Sequence, residues 1–168
     1  MDQNTLKAHF LTTYDQYADA IYRFCQMKTS SAGLAEDLTQ ETFMRLWQRM
    51  REGQKIEHEQ ALLYTIARNL VIDWYRKKKE QSLDAMMEAG TDFAEEGGEG
   101  VTTTAEVREV LEVVNQLDLP SREVLLLRFV EGYAPHEIAK FLDTNANVVS
   151  VRINRAIKKV QSIIRPNE

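Results

Sequence analysis

Side chains that can contact nucleic acid are concentrated in the last helix that the sequence predicts, Asn147 to Ile164. One side of this helix is apolar, with Val149, Ile153, Ala156, Ile157 and Val160 at helical spacing. The opposite side carries Asn147, Ser150, Val151, Arg155 and Lys158, and Arg152 and Lys159 lie on its shoulder. Amides, hydroxyls and cations at this spacing can reach base edges and phosphates in a major groove. The competing interpretation is a basic helix that only faces solvent.

The residues before this helix favour the DNA-binding interpretation. Pro135 suits the first turn of a helix, where a missing N–H group costs nothing. Ala139 is small, at a position where a second helix could cross closely. The turn Asp143-Thr144-Asn145 ends in a residue type that caps helices well. Together these features predict a helix-turn-helix motif.

A second basic surface is predicted on the helix from about Ala61 to Lys79. Its exposed side carries Thr65, Arg68, Asn69, Ile72 and Arg76, and it continues into Lys77, Lys78 and Lys79 with Trp74 and Tyr75 nearby. Cations, amides and aromatic rings are the groups that hold unwound single strands. Trp74 itself falls on the apolar side, so we expect it to belong to the core.

A third surface lies on the predicted helix from Leu34 to Arg51, and its chemistry differs. Its polar side carries Asp37, Gln40, Glu41 and Gln48, with Met44 among them. An exposed methionine within a polar stripe indicates a protein partner. An ordinary solvated face is the alternative interpretation.

The charge distribution divides the chain into three parts. The 168 residues have a formal net charge of −5, but residues 64–79 carry five basic residues and one acidic residue. Residues 140–165 carry six basic residues and one acidic residue, whereas residues 80–100 carry seven acidic residues and no basic one. We therefore predict a first domain over 1–79, a flexible acidic linker over 80–103 and a second domain over 104–168.

The hydrophobic pattern predicts an all-α fold for both domains. Apolar residues recur at helical spacing throughout, and no stretch shows strand-like alternation of useful length. The predicted helices run over Phe10 to Met27, Leu34 to Arg51, Ala61 to Lys79, Thr104 to Leu117, Arg122 to Glu131, Pro135 to Leu142 and Asn147 to Ile164.

Several classes of function are disfavoured by the composition. The sequence has no apolar run long enough to span a membrane and no signal-peptide pattern at its N-terminus, so we expect a cytoplasmic protein. The single cysteine, Cys25, cannot form an internal disulfide. The three histidines have no metal-ligand spacing, and no glycine-rich phosphate loop is present. We therefore expect no catalytic residues, no metal and no cofactor.

Three segments, in this order, resemble the extracytoplasmic-function (ECF) sigma factors, the two-domain subunits that give bacterial RNA polymerase its promoter specificity. They are AEDLTQETFMRLWQRM, ALLYTIARNLVIDWYRKKK and LPSREVLLLRFVEGYAPHEIAKFLD. The resemblance implies a helical region 2-like domain and a helix-turn-helix region 4-like domain. It also implies three partners: the polymerase core enzyme, promoter DNA and an anti-sigma factor, which in this family is usually membrane-bound.

The resemblance also implies roles for individual residues. The positions that contact polymerase correspond to Asp37, Gln40 and Glu41, and Met44 and Gln48 lie on the same face. The helix that opens and reads the downstream promoter element contributes Arg68, Asn69, Asp73, Arg76 and Lys77, and the loop 52–60 corresponds to one that captures a flipped base. Arg152 and Arg155 correspond to arginines that contact the upstream element, beside Asn147, Ser150 and Lys158.

The chain departs from the family pattern at two places. Members often carry Gly-Thr-Val-Lys-Ser-Arg where this chain has Asn147-Val148-Val149-Ser150-Val151-Arg152, so a lysine is missing and a valine lies on the DNA-facing side. Ala134 stands where a capping serine or threonine is usual. These departures leave the fold prediction intact and bear on the base contacts at Ser150 and Val151.

Two other classes of protein fit the sequence less well than a sigma factor. A stand-alone helix-turn-helix regulator would bind duplex operator DNA without polymerase, but it does not account for the basic third helix or the polar second helix. A helical adaptor without a DNA role does not account for two basic segments in an acidic protein. Binding to polymerase and promoter DNA, without catalysis, explains all three surfaces.

Overall fold

The computed structural model describes residues 1–88 and 104–166, and these residues contain helices and no strand. This confirms the predicted all-α fold. The helices are α1 Gln3–Thr29, α2 Ala32–Arg51, α3 Glu59–Glu88, α4 Ala105–Asn115, α5 Leu119–Leu125, a π-helical segment Leu126–Val130, α6 Pro135–Phe141 and α7 Ala146–Ile164. Among the described residues, no helix is both long enough and apolar enough to cross a membrane.

Local sequence explains where the helices begin and end. Ser31 caps α2 by accepting a hydrogen bond from the backbone N–H of Leu34 at 3.3 Å. Gly53 adopts a φ of 71° just after α2, a left-handed conformation that glycine tolerates without strain. Asp118 caps α5 by accepting from the backbone N–H of Ser121 at 3.3 Å. The cap places the start of α5 earlier than the predicted Arg122.

The structure extends α3 beyond its predicted end. We expected this helix to end at about Lys79, but it continues without a break to Glu88, within the segment predicted as linker. Residues 80–88 consist mainly of Glu, Gln, Leu, Ala and Met, which have high helix propensity. The helix propensity of residues 80–88 therefore explains why α3 continues beyond the last residues of its apolar stripe. The rest of the predicted linker, 89–103, lies outside the described residues.

The first domain is a bundle of α1, α2 and α3 around an apolar core. The residues that face its interior include Ile21, Phe24, Leu38, Phe43, Leu46, Leu63, Ile66 and Val71. Aromatic rings extend the core toward the start of α1, where the centroids of Phe10 and Trp47 lie 5.0 Å apart. Most of these interior positions recur at helical spacing along α1, α2 and α3, as the all-α prediction requires.

The second domain packs α5 and α6 against α7. Val149, Ile153 and Ala156 of α7 are buried, as predicted from their spacing. Ala139 of α6 is also buried, which is consistent with the close helix crossing expected there.

The two domains also pack against each other, and this contact was not anticipated from the sequence. Tyr64 of α3 is fully buried, and its ring stacks on Phe141 of α6 with a centroid separation of 4.8 Å. Its other neighbours are Phe24 of α1 at 5.4 Å and Tyr133 at 6.0 Å. Gln60 of α3 donates a hydrogen bond to the hydroxyl of Tyr133. One aromatic cluster therefore joins α1 and α3 to the second domain.

The hydroxyl of Tyr64 leads to a prediction about stability. It is buried, and no hydrogen bond of good geometry reaches it among the described residues, although burial and the neighbouring Tyr133 both raise its pKa. An unpaired buried polar group costs free energy, so Tyr64→Phe should leave the free energy of unfolding unchanged or raise it by about 1 kcal/mol. Urea denaturation followed by circular dichroism measures the change.

Tyr133→Phe is the matched control, because the hydroxyl of Tyr133 accepts a hydrogen bond from Gln60. Removing the hydroxyl of Tyr133 should lower the free energy of unfolding by about 1 kcal/mol. If Tyr64→Phe were as destabilising as Tyr133→Phe, the hydroxyl of Tyr64 would have to be hydrogen-bonded.

Candidate nucleic-acid and protein interfaces

The helix-turn-helix geometry is built by one backbone conformation and two local hydrogen bonds. Asp143 adopts a φ of 51°, which reverses the chain after α6. The backbone N–H of Thr144 donates to the carbonyl of Ala139 at 2.9 Å and closes the turn. Asn145 then caps α7 by accepting from the N–H of Val148 at 3.0 Å. The turn and its cap were both predicted, and they set the direction in which α7 leaves α6.

The start of α6 shows how the chain tolerates Ala134 at a capping position. Alanine has no side-chain acceptor, so no side-chain hydrogen bond caps the first turn. The carboxylate of Glu137 instead reaches back and accepts from the backbone N–H of Ala134 at 2.8 Å. This is one half of a capping box, and it leaves the helix start intact.

The predicted DNA-facing side of α7 is open to solvent over most of its length. Asn147, Arg155 and Lys158 are exposed, and Val151 exposes 47 % of its surface. Ser150 and Arg152 are partly buried. The structure therefore brings Asn147, Arg155 and Lys158 together on the exposed side of α7, whereas Ser150 and Arg152 lie at its partly buried edges.

Lys159, on the shoulder of this surface, is turned toward α5. Its ammonium lies 2.6 Å from a carboxylate oxygen of Asp118 and 3.4 Å from the hydroxyl of Ser121. Partial burial opposes ionisation of Asp118, but hydrogen bonds from Lys159 and Ser121 outweigh it and lower the pKa of Asp118 to about 2. Lys159 therefore links α7 to the start of α5 within the second domain.

The predicted nucleic-acid surface of α3 is exposed only in part. Asn69, Ile72, Arg76 and Lys77 are exposed, and Asp73 lies 3.6 Å from Arg76 as an i,i+3 ion pair. Trp74 is partly buried, and the ammonium of Lys78 lies 4.9 Å from its ring centroid. Arg68 behaves differently from its neighbours, because its guanidinium contacts the second domain.

The contact of Arg68 belongs to a buried network of charged groups between the domains. The carboxylate of Glu123, on α5, accepts hydrogen bonds from Arg68 and from Lys28 of α1, each at 3.1 Å. Glu123 exposes only 2 % of its surface and Lys28 only 4 %. Burial lowers the pKa of the Lys28 ammonium, and Glu123 opposes that effect.

Lys28 and Glu123 were not singled out from the sequence, although a signal was present. Lys28 follows Ile21 and Phe24 at helical spacing, so it lies on the apolar side of α1. Glu123 precedes Leu127 by four residues, within the run of apolar residues in the second domain. A charged residue on an apolar face indicates a buried partner of opposite charge.

The predicted protein-binding surface of α2 is exposed and continuous. Asp37, Gln40 and Gln48 are exposed, and Met44 exposes 67 % of its surface. Glu41 is held by Arg45, with a nitrogen–oxygen distance of 2.8 Å. Glu41, Met44, Arg45 and Gln48 border a shallow groove, and its other lining residues are Trp47, Arg51 and Glu52. Asp37 and Gln40 lie outside this groove. None of the predicted contact residues on α2 is covered by the second domain.

Comparison with known proteins agrees with this architecture. The family model for sigma-70 region 2 matches residues 13–81, and the model for sigma-70 region 4 matches residues 107–160. The chain is 30 % identical over 167 residues to the ECF RNA polymerase sigma factor SigW of Bacillus subtilis, covering 93 % of this chain and 89 % of that protein.

Two further relatives carry the same description. The chain is 28 % identical over 155 residues to SigX of Bacillus subtilis, covering 89 % of this chain and 80 % of that protein. It is 28 % identical over 158 residues to BldN of Streptomyces coelicolor, covering 90 % of this chain but only 58 % of that longer protein.

Solved structures share the fold. A sigma factor RpoE, in complex with the anti-sigma factor NepR from Bartonella quintana, aligns with a TM-score of 0.75 at 21 % identity, covering 95 % of this chain and 99 % of that one. CnrH, in complex with the cytosolic domain of CnrY, aligns with a TM-score of 0.69 at 21 % identity, covering 96 % and 91 %.

A helical domain with an exposed polar face, followed by a helix-turn-helix domain, defines the class of sigma-70-like transcription factors. Both family models and the relatives over nearly the whole chain agree with that class. The chain belongs to the extracytoplasmic-function sigma factors. It is therefore a promoter-directing subunit that binds RNA polymerase and promoter DNA.

The missing cap of α6 leads to a prediction about the helix-turn-helix domain. Ala134→Ser supplies a side-chain acceptor for the free N–H groups of the first turn, while Glu137 keeps its contact. The free energy of unfolding should rise by about 0.5–1 kcal/mol. Thermal or urea denaturation of the full chain measures it.

Asn145→Ala calibrates this measurement, because it removes the cap of α7 and should lower the free energy of unfolding by about 1 kcal/mol. A loss with Asn145→Ala but no gain with Ala134→Ser would show that the single contact from Glu137 already satisfies the start of α6.

Proposed function

We propose that the three surfaces divide the work of promoter recognition among α2, α3 and α7. The main support for this proposal is that the three surfaces are separate from one another. The polar face of α2, the basic face of α3 and the polar side of α7 lie on three different helices in two domains. Each surface has the chemistry of a different target: a protein, an unwound strand and a DNA duplex.

The α2 surface is proposed to hold the polymerase core enzyme through Asp37, Gln40 and Glu41, with Met44 and Gln48 beside them. An apolar side chain in the middle of polar groups is a typical arrangement for a protein contact, because it adds buried apolar area to directional hydrogen bonds. Its exposure in the free chain supports this assignment.

The α3 surface is proposed to hold the melted strand of the downstream promoter element through Arg68, Asn69, Asp73, Arg76 and Lys77. Guanidinium and ammonium groups neutralise phosphates, and the amide of Asn69 can pair with a base edge. Asp73 orients Arg76 through their ion pair.

The α7 surface is proposed to read the upstream element as duplex. The residues proposed for this contact are Asn147, Ser150, Arg152, Arg155 and Lys158. Asn147, Arg155 and Lys158 are exposed on the helix that follows the turn, where recognition helices contact DNA, and Ser150 and Arg152 lie at the edges of this surface. Val151 lies on the same side and offers an apolar contact, such as that to a thymine methyl group.

We further propose that the chain acts by binding rather than catalysis, and that it works in the cytoplasm, where its polymerase partner is. An anti-sigma factor is a proposed partner as well, since the sigma factor RpoE, which has the same fold, was solved in complex with the anti-sigma factor NepR. A stand-alone regulator would retard promoter DNA without polymerase, so a retardation assay with and without core enzyme separates the two functions.

The α2 assignment predicts a loss of polymerase binding. Replacing Asp37, Gln40 and Glu41 together by alanine should abolish association with core enzyme in a pull-down, because the three side chains form one face at i, i+3 and i+4. The circular dichroism spectrum should stay native, since the three side chains lie outside the core.

The matched control replaces Asp15, Gln16 and Asp19 of α1, which are also exposed and have nearly the same composition. This variant should bind core enzyme normally. Equal binding by both triple variants would remove the α2 face from the polymerase contact.

The α7 assignment predicts a change in salt dependence. If Arg155 contacts a phosphate, Arg155→Ala should reduce the log–log slope of duplex affinity against salt by about 0.9 and weaken all sequences alike. If it reads a guanine, the loss should be confined to the promoter sequence. Fluorescence anisotropy at several salt concentrations measures the slope and the affinity. Arg49→Ala is the control for the loss of a surface cation. An unchanged slope and affinity would place Arg155 outside the interface.

A further inference from the structure

One apolar side chain lies in the middle of the proposed DNA-reading surface of α7. Val151 exposes 47 % of its surface, whereas Val149 is fully buried and Ile153 exposes only 7 %. Asn147 precedes Val151 by four residues and Arg155 follows it by four, and both are exposed. Since residues four apart are neighbours on a helix surface, the three side chains form one stripe. Val151 is therefore at the centre of this stripe, outside the core of the second domain.

Packing does not explain an apolar residue at this position. The buried contacts of α7 are made by Val149, Ile153 and Ala156, on the other side of the helix. The related chains often have serine where this chain has Val151, and lysine where it has Ser150. Two methyl groups thus stand in place of a hydrogen-bonding group, and the neighbouring cation is absent. This part of the surface is less suited to a phosphate and better suited to an apolar group.

The position of Val151 along α7 suits a contact with a base. The helix begins at Ala146, so Val151 lies in its second turn, and recognition helices contact base edges with their N-terminal residues. Valine is branched at Cβ, which restricts its χ1 rotamer and gives its methyl groups a nearly fixed position. A short, stiff side chain of this kind loses little conformational freedom on contact, and it reaches only a group that the helix approaches closely.

The major groove limits what such a side chain can contact. The methyl group on C5 of thymine is the apolar group that base edges present there, and the other groups are hydrogen-bond donors and acceptors. A donor or acceptor that is covered by valine loses its water and gains no partner, which costs free energy. A methyl group against valine instead removes apolar surface from water on both sides. The side chain therefore favours a pyrimidine that carries a 5-methyl group.

We propose that Val151 makes α7 select a pyrimidine with a 5-methyl group, supplied by thymine, at one position of the upstream element. This inference rests on the proposed role of α7 and adds a base preference to it. Asn147 lies one helical turn away, about 6 Å along the axis, which is roughly two base-pair steps. Its amide matches the major-groove edge of adenine. The selected thymine is therefore expected about two base pairs from an adenine contacted by Asn147.

The experiment uses holoenzyme assembled from the full chain and polymerase core enzyme. Duplexes that bind are selected from a pool in which the upstream element is randomised. Each thymine of the selected element is then replaced singly by uracil, which keeps its pairing with adenine and lacks only the 5-methyl group. Competition against the fluorescein-labelled parent duplex measures the affinity of each substituted duplex.

At one position, uracil should weaken binding by the wild-type holoenzyme about four-fold, the effect of withdrawing one methyl group from an apolar contact. With Val151→Ser, thymine and uracil at that position should bind alike. Serine and valine have similar helix propensity, so the circular dichroism spectrum should stay native. Ile164→Ser is the matched control, because Ile164 is 60 % exposed but lies at the far end of α7. This control should keep the wild-type preference for thymine.

A second comparison isolates the methyl group from the rest of the base. At the sensitive position, a cytosine–guanine pair is compared with a 5-methylcytosine–guanine pair, which differs from it by the same methyl group. A preference of the wild type for 5-methylcytosine, absent in Val151→Ser, would show that the methyl group suffices for selection. Equal binding of the two cytosine duplexes by the wild type would limit the target to thymine.

Three results would overturn the proposal. The first is an equal loss with uracil in the wild type and in Val151→Ser, because an effect of the methyl group on DNA shape does not depend on residue 151. The second is a selected element in which uracil weakens wild-type binding at no position. The third is a loss of core enzyme from Val151→Ser in a pull-down, because Val151 would then contact polymerase instead of a base.

Arg155→Ala separates this inference from the proposed function of α7. If Arg155→Ala weakens binding to the upstream duplex while uracil has no effect at any position, the thymine preference alone is wrong. If Arg155→Ala, Val151→Ser and uracil all leave binding unchanged, α7 is not the surface that reads the upstream element.

Discussion

The arrangement of the two domains depends on the buried carboxylate of Glu123. A charge removed from water is tolerated only with partners that offset the lost hydration, and here Lys28 and Arg68 provide them from two helices of the other domain. Apolar packing at Tyr64 is not directional, whereas this network requires one relative position of α1, α3 and α5. The network of charged side chains therefore fixes the relative position of the two domains. The aromatic cluster supplies most of the apolar area that the domain contact buries.

The positions of the functional surfaces follow from this contact. The second domain packs on the side of the first that is formed by α1 and α3, so α2 keeps its polar face in solvent with Met44 exposed. The recognition helix also keeps its polar side free, because its apolar residues pack within the second domain against α5 and α6. Of the helices in the described residues, α3 is the one that is both a structural neighbour of the second domain and a proposed binding surface.

Much of the fold could be predicted from local patterns. The apolar residues of α7, the turn at Asp143 and the cap at Asn145 depend on neighbours within a few residues, and they were found where the pattern placed them. The end of α3 was not predicted correctly, because residues 80–88 combine good helix propensity with no apolar face. Acidic composition suggested a linker there, while backbone propensity favoured continuation of the helix.

Periodicity and side-chain chemistry are local properties, so the residues alone predict the helical class, the helix-turn-helix and candidate residues for contacts with polymerase and DNA. The pairing of Arg68 with Glu123, while Arg76 of the same basic stripe remains exposed, follows from the packing of the domains. Lys28 and Glu123 are 95 positions apart in the chain, and no local pattern specifies which buried cation meets which buried carboxylate. This pairing depends on how the two helical domains pack, because a charge that is buried between them must meet a partner of opposite charge.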